Sequence, residues 1–196
     1  VDLSLDQFVE LKNFINRYFD LNRDLMPFYA QMQDDPIVAP LAERFRGLRL
    51  VRMSDFFEAI CWSILGQQIN LNFAYRLKRQ FVECYGQLFR FPQPEIVAAL
   101  SIDELKAIQF SRQKADYIIG VARHITSGEL EVENLYTLCP EDLKRKLIAL
   151  RGIGNWTANY LLMKVFGNTT AFPIEDVGLH NAVRLAMNRE DKPTIP

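Results

Sequence analysis

Residues that build disulfide frameworks or metal sites are scarce in this sequence. Its 196 residues include three cysteines, Cys61, Cys84 and Cys139, and two histidines, His124 and His180. The cysteines are odd in number and widely spaced, which is typical neither of a disulfide framework nor of a metal-ligand set, and fits a reducing compartment. A lone histidine is more often a packed or surface side chain than a ligand. We therefore set metal catalysis aside.

Long apolar runs and strand-like alternation are also missing. No run approaches the ~20 residues that a membrane-spanning helix needs, and no charged-then-apolar leader is found. Period-two alternation, the pattern of half-buried strands, is almost absent. We expect no membrane contact and a cytoplasmic location, nucleoid-associated in a bacterium, or a nuclear location in a eukaryote.

Helical periodicity, in contrast, recurs along the chain. Apolar residues make up 49% of the sequence, enough for a sizeable core. Start signals such as Ser4-x-x-Gln7 and Asp55-x-x-Glu58 precede apolar residues at helical spacing. These patterns predict an all-α fold of about ten helices.

The net charge of −1 hides an uneven distribution. Residues 1–35 hold seven acids against three bases, whereas residues 143–174 hold five bases and no acid. The five bases are Lys144, Arg145, Lys146, Arg151 and Lys164. A basic segment of this kind either attracts nucleic acid or forms an ordinary solvated helix face.

Within that segment, "LRGIGNWTANY" (150–160) predicts two helices joined by a very short turn. Gly152 and Gly154, on either side of Ile153, permit a tight turn and the close approach of another backbone. The first N–H groups of the second helix would point outward and suit a phosphate, with Thr157 adding a hydroxyl donor. Taken alone, the two glycines favour an ordinary turn between helices.

Two further stretches carry polar side chains at predicted helix ends. Glu175 and Asp176 begin the last helix, where a carboxylate is either a cap or an anion poised to stabilise a developing cation. Gln67 and Gln68 end an earlier helix, where amides either cap or enter a groove.

Four stretches together resemble a known family. They are "FEAICWSILGQQIN", "FSRQKADYIIGVARHI", "LRGIGNWTANYLLMKVFG" and "AFPIEDVGLHNAV". Their order and content are similar to the helix–hairpin–helix (HhH-GPD) superfamily of DNA glycosylases, and within it to the 3-methyladenine DNA glycosylase II (AlkA-like) branch. The resemblance covers about Leu41 to Leu185.

The resemblance implies a role for individual residues. Asp176 matches the catalytic aspartate, Trp156 and Tyr160 match aromatics of the base pocket, and Gln68, with Gln67 beside it, matches the side chain that wedges into the duplex. Gly152, Ile153, Gly154 and Thr157 match the hairpin that holds a DNA phosphate. No cofactor is implied beyond a structural Na⁺ or K⁺ ion on the backbone carbonyls of Ile148, Leu150 and Ile153.

The resemblance also implies an architecture of two helical subdomains with the active-site cleft between them. Residues 51–168 would form the central subdomain with the helix–hairpin–helix at about 144–166. Residues 1–50 and 169–196 would form the second, which carries Asp176. We expect the family's N-terminal β-domain and C-terminal helix to be absent from this chain.

The implied activity is a monofunctional N-glycosyl hydrolase of base excision repair, a monomer acting on double-stranded DNA with alkylated purines. A purine methylated on a ring nitrogen is cationic, leaves readily and stacks well on Trp156 and Tyr160. Branches that cut the strand carry a lysine where this chain has Trp156, so no Schiff base is expected. The four-cysteine iron–sulfur motif of other branches is missing as well.

Three other interpretations stay open at this point. One is a glycosylase of the same superfamily for an oxidised or deaminated base. Another is a non-catalytic helix–hairpin–helix DNA-binding module, which would need neither Asp176 nor the aromatic face. The third is a helical scaffold whose basic segment binds an acidic protein.

Overall fold

The computed structural model describes residues 3–88 and 90–191, and within them it contains twelve α-helices and no strand. The helices are α1 (Leu5–Tyr18), α2 (Met26–Met32), α3 (Val38–Arg44), α4 (Phe56–Leu65), α5 (Leu71–Tyr85), α6 (Pro94–Ala98), α7 (Ile102–Ala107), α8 (Arg112–Thr126), α9 (Val132–Leu135), α10 (Pro140–Ile148), α11 (Asn155–Lys164) and α12 (Val177–Ala186). The all-α prediction is confirmed. Among the described residues, no helix combines the length and apolarity needed to span a membrane.

The sequence predicted fewer helices because it did not reveal α2 and α9. Helix α2 has seven residues and starts with a proline in its first turn, and α9 has four residues. The last helix begins at Val177 rather than near Glu175, because Asp176 is its N-cap.

The chain divides into two compact units. We call Met53–Pro173 the continuous unit, and Val1–Arg52 with Ile174–Pro196 the discontinuous unit. The sequence placed the corresponding limits at 51 and 168. The hairpin and its aromatic residues belong to the continuous unit, and Asp176 belongs to the discontinuous unit.

Helix α4 lies in the core of the continuous unit and packs on α5, α8 and α11. Eight of its ten residues are buried, and each large apolar side chain contributes about 1.5–3 kcal/mol on burial. Asp55 caps the helix by accepting a hydrogen bond from the Glu58 N–H at 2.7 Å. Burial, helped by the charges of Asp55 and Glu58, raises the pKa of the Cys61 thiol, which makes Cys61 an inert core residue.

The discontinuous unit has almost no buried side chains among residues 3–52 and 174–191. Helices α1, α2, α3 and α12 contain no buried residue, and Asp20, at 8% exposure, is the one that is buried. Arg23 and Arg52 bind the Asp20 carboxylate, the latter at 2.8 Å, and Arg49 donates to the Asp20 carbonyl. Burial alone would raise the pKa of Asp20, but the hydrogen bonds and charges of Arg23 and Arg52 outweigh it and lower the pKa. Asp20 is therefore held in a charge network within this unit.

Candidate functional site

The predicted hairpin consists of α10 and α11, joined by the six residues 149–154. Gly152 has a φ of +91°, and a Cβ at this position would lie 2.2 Å from the Tyr117 ring. Left-handed backbone is costly for other residues, and the ring leaves no room for a side chain. The turn itself therefore requires a glycine at position 152.

Gly154 presents the opposite case. Its φ of −97° is open to any residue, and a Cβ there would meet nothing within 4 Å. It is the N-cap of α11, is exposed, and supplies no side-chain cap. The fold does not require this glycine, whereas a ligand that approaches the start of α11 closely would.

Buried side chains hold the turn from beneath. Gln67 donates from Nε2 to the Gly152 carbonyl at 3.0 Å and lies 3.5 Å from the Thr157 Oγ1. Thr157 is 2% exposed and Ile153 5% exposed. The Thr157 hydroxyl faces Gln67 in the interior, and its role as a donor to a phosphate stays a prediction.

The predicted cation ligands lie where α10 ends. The Ile153 N–H donates to the Leu150 carbonyl at 3.1 Å, and Ile148 is the last residue of α10. Carbonyl oxygens at a helix C-terminus carry partial negative charge and are hard donors that suit a monovalent cation. Among the described residues, no group of three or more His, Cys, Asp and Glu side chains could hold a metal ion.

The basic segment around the hairpin is less basic in space than in sequence. Arg145 pairs with Asp142, and Arg151 pairs with Asp116 at 2.7 Å. Both acids lie outside residues 143–174, so counting charges within that window missed them. Burial lowers the pKa of Lys164.

Trp156 and Tyr160 stack on one another along α11. Their ring centroids are 5.3 Å apart and their planes differ by 12°. The rings are too close to admit a third ring between them. A base would therefore stack on an outer face of the pair, in the offset geometry that aromatic rings prefer.

Two further aromatics adjoin this pair and were not predicted. Trp62 of α4 lies beside the Tyr160 hydroxyl, and its ring centroid is 5.0 Å from that of Tyr75 of α5. Burial raises the pKa of Tyr160. The interaction with Trp62 lowers this pKa, and the interaction with Tyr75 raises it further. Lys78 lies 5.5 Å from the Trp62 centroid and pairs with Glu58. The sequence did contain a signal for Trp62, because this tryptophan lies outside the apolar stripe of α4.

Asp176 caps α12. Its Oδ1 accepts from the Leu179 N–H at 2.8 Å, as a side-chain N-cap does. Gly178 lies close by, and a Cβ there would be 3.0 Å from the same oxygen. Asp176, not Glu175, is therefore the carboxylate that the backbone of α12 orients.

The two predicted wedge residues differ in their surroundings. Gln67 is engaged with the hairpin, whereas Gln68 is exposed with a φ of +56°. A left-handed backbone is uncommon for glutamine and marks a position of interest. The wedge role stays a prediction, with Gln68 as the residue free to enter a duplex.

Two family models match this chain. A model described as HhH-GPD superfamily base excision DNA repair protein matches residues 61–194. A second model, described as the N-terminal domain of 8-oxoguanine DNA glycosylase, matches residues 4–60.

Individual relatives are similar over most of the chain. A DNA-3-methyladenine glycosylase of Bacillus subtilis is 45% identical over 193 residues, which cover 94% of this chain and 64% of the relative. YfjP of the same bacterium is 34% identical over 188 residues, with 94% and 65% covered. A solved 3-methyladenine DNA glycosylase from Archaeoglobus fulgidus has a TM-score of 0.82 at 25% identity, with 98% of this chain and 67% of that chain covered. The chain thus spans just under two thirds of the two curated relatives.

Proposed function

The chain belongs to the HhH-GPD superfamily of base excision DNA repair proteins, and we propose that it is a monofunctional DNA glycosylase for alkylated purines. It would act as a monomer on double-stranded DNA, flip out a purine of the 3-methyladenine or 7-methylguanine type, hydrolyse its N-glycosidic bond and leave an abasic site.

The stacked Trp156–Tyr160 pair carries this proposal. Each of the two stacked rings offers an electron-rich outer face, and both residues are half-buried. A cationic methylated base stacks on such a face more strongly than a neutral base does. The preference for alkylated purines would therefore come from the charge of the lesion.

Asp176 would supply the electrostatic part of the reaction. As the bond between the base nitrogen and the sugar C1′ breaks, the bonding electrons leave with the base and neutralise its charge. Positive charge then grows on the sugar, where a carboxylate stabilises it. Water adds to C1′ and releases a proton to solvent. A cationic leaving group needs no strong general acid.

The residue at position 156 supports the monofunctional assignment. Strand cleavage by these enzymes proceeds through a Schiff base between a lysine and the sugar, and tryptophan has no amine. We therefore expect no covalent enzyme–DNA product on borohydride reduction.

The hairpin would anchor the DNA backbone through the start of α11. The open space above Gly154 admits a phosphate to the helix N-terminus. A Na⁺ or K⁺ ion on the carbonyls of Ile148, Leu150 and Ile153 would add positive charge there, and no chemical step depends on it.

Base release from methylated duplex DNA tests the chemistry. We expect free methylpurines and alkali-labile sites with the wild type, and a loss of at least about 100-fold with Asp176→Asn, in line with the removal of one catalytic electrostatic contact. Equal release by both proteins would remove Asp176 from its role. DNA binding without release by the wild type would favour a binding module.

A second test addresses the hairpin separately. Gly154→Asp adds a helix cap, which leaves stability unchanged or higher, but it places charge and volume in the phosphate position. Affinity should fall for all duplex sequences. The matched control is Gln93→Asp, which adds the same charge at the exposed, uncapped start of α6. Equal affinities for both variants would exclude the phosphate role.

The match of residues 4–60 to an 8-oxoguanine glycosylase domain favours one alternative. A glycosylase for 8-oxoguanine would act on a neutral base and gain less from the aromatic face. Duplexes with one 8-oxoguanine, assayed beside methylated duplexes, separate the two. Faster release of 8-oxoguanine would replace the alkylated substrate in our proposal.

A further inference from the structure

Arg151, which directly precedes the first hairpin glycine, lies in a setting that the turn itself does not need. Its guanidinium carbon is 5.7 Å from the centroid of the Tyr117 ring, and its Nη1 is 2.7 Å from Asp116 Oδ2. The side chain is nonetheless 78% exposed. A guanidinium has five N–H donors, so stacking and one ion pair fix its plane and leave most donors facing solvent.

Tyr117 forms a rigid support beneath this arginine. Its ring occupies the space that a side chain at Gly152 would take, and its hydroxyl accepts from Gln113 Nε2 at 2.7 Å. The same ring therefore touches the hairpin glycine and positions the arginine beside it. Arg151 is fixed with respect to the hairpin that would hold a phosphate.

A second arginine lines the same hollow. The hollow measures about 510 Å³ and is lined by Ile102, Arg112, Gln113, Asp116, Tyr117 and Arg151. Arg112 is the first residue of α8, where the helix dipole disfavours a cation, and no acid accompanies it in the first turn. Asp103 lies close enough to interact with the charge of Arg112, and two guanidinium groups on one hollow suit an oxyanion.

Asp116 opposes such a ligand. Its carboxylate holds the charge of Arg151 and would repel a phosphate that enters the hollow. Ion pairs with exposed partners are weak, so the polyanionic DNA backbone, which releases counterions on binding, can displace this carboxylate.

We propose that Arg151 is a second phosphate contact beside the hairpin and that Asp116 competes with the DNA backbone for its guanidinium. The ligand is a phosphodiester of duplex DNA, so the inference rests on the proposed function. The competition lowers affinity for ordinary DNA, which lets the protein leave undamaged sites faster during its search for lesions.

Binding of undamaged duplex across a series of salt concentrations tests the phosphate contact. Arg151→Gln should weaken binding about five- to tenfold at 0.1 M salt and reduce the slope of log K against log salt by about 0.9, the contribution of one phosphate. An unchanged slope would overturn the contact.

The competition has its own signature. Asp116→Asn should tighten binding by up to about fivefold, the upper range for the removal of a weak exposed ion pair. The rate of dissociation from DNA should fall accordingly. The double variant should bind like Arg151→Gln alone. If Asp116→Asn tightens binding equally without Arg151, the effect is general charge and the competition does not exist.

A matched pair elsewhere provides the control. Arg79, also 78% exposed, pairs with Glu83 on α5, outside the hairpin and the hollow. Arg79→Gln and Glu83→Gln should each change affinity by less than the hollow variants do, and equal effects would overturn the site. Base release from methylated DNA, measured in parallel, separates the two proposals. If bases are released but Arg151→Gln leaves the salt slope unchanged, only the second phosphate contact is excluded. If Arg151→Gln lowers the slope but no base is released, only the glycosylase activity is excluded.

Discussion

The two units of this chain are stabilised by different forces. The continuous unit has an apolar core in which Ile60, Ile64, Leu77, Phe81 and many others are fully buried. In the discontinuous unit, among residues 3–52 and 174–191, the buried side chain is a carboxylate surrounded by arginines. Apolar residues are present there too, but large ones such as Phe8 and Leu5 stay exposed.

This difference decides how each candidate site residue is positioned. Packing fixes the hairpin and its aromatics, because Tyr117 and Trp62 contact them from other helices and Gln67 contacts them from the turn after α4. Asp176 caps its own helix. A core mutation should therefore disturb the hairpin and its aromatics.

The largest effect that separates the units should come from a core truncation. Phe81→Ala removes a fully buried ring that contacts Phe91 and Phe110, at a cost of about 3–5 kcal/mol. Both tryptophans, Trp62 and Trp156, lie in the continuous unit. Tryptophan fluorescence during urea unfolding therefore reports the loss in that unit.

Phe8→Ala is the matched change in the discontinuous unit. Phe8 is 56% exposed, so truncation should cost less than about 1 kcal/mol and leave the fluorescence transition in place. Similar losses for the two variants would mean that the phenylalanine in α1 is buried in solution, and the contrast between the units would fail.

A smaller effect should come from the hairpin turn. Gly152→Ala forces a side chain into left-handed backbone and against Tyr117, which should cost about 2–4 kcal/mol. The same change at Gly120, inside α8 with nothing within 4 Å of a Cβ, should instead stabilise the unit by up to about 1 kcal/mol. Urea unfolding of both variants checks the opposite signs. A neutral Gly152→Ala would mean that the ring moves away easily.

Sequence patterns captured the features that depend on neighbours along the chain. The caps at Ser4 and Asp55 involve residues three positions apart and were readable as pairs. The hairpin was likewise predicted from its glycines and flanking periodicity. The all-α class followed from the same local patterns.

What the sequence could not reveal depends on residues far apart in the chain. Gln67 and Gly152 are 85 positions apart, and no local pattern pairs them. Arg151 and Asp116, and likewise Trp62 and Tyr160, are also in contact although they lie far apart in the chain. For this reason the two glycines of the hairpin looked equivalent in sequence, although the structure requires one for the turn and leaves the other without a structural reason.

A loss smaller than that of the core truncation should come from the charge network of the discontinuous unit. Asp20→Asn keeps the shape of the side chain but removes the charge that Arg23 and Arg52 bind, at a cost of about 1.5–3 kcal/mol for charged hydrogen bonds. Part of the helical far-UV ellipticity should then be lost at a lower urea concentration than the midpoint of the tryptophan fluorescence transition. That midpoint itself should not change.

Acid should expose the same network in the wild type. Because the pKa of Asp20 is lowered in the folded state, its stabilising contribution is complete above the unfolded value of about 3.9 and is lost as pH falls through the lower folded value. The wild type and Asp20→Asn should therefore differ at pH 7 and converge towards pH 3. A difference that is the same at both pH values would show that shape, not charge, holds Asp20. A shift in tryptophan emission would show that the two units are not stabilised independently, since Asp20 and both tryptophans belong to different units.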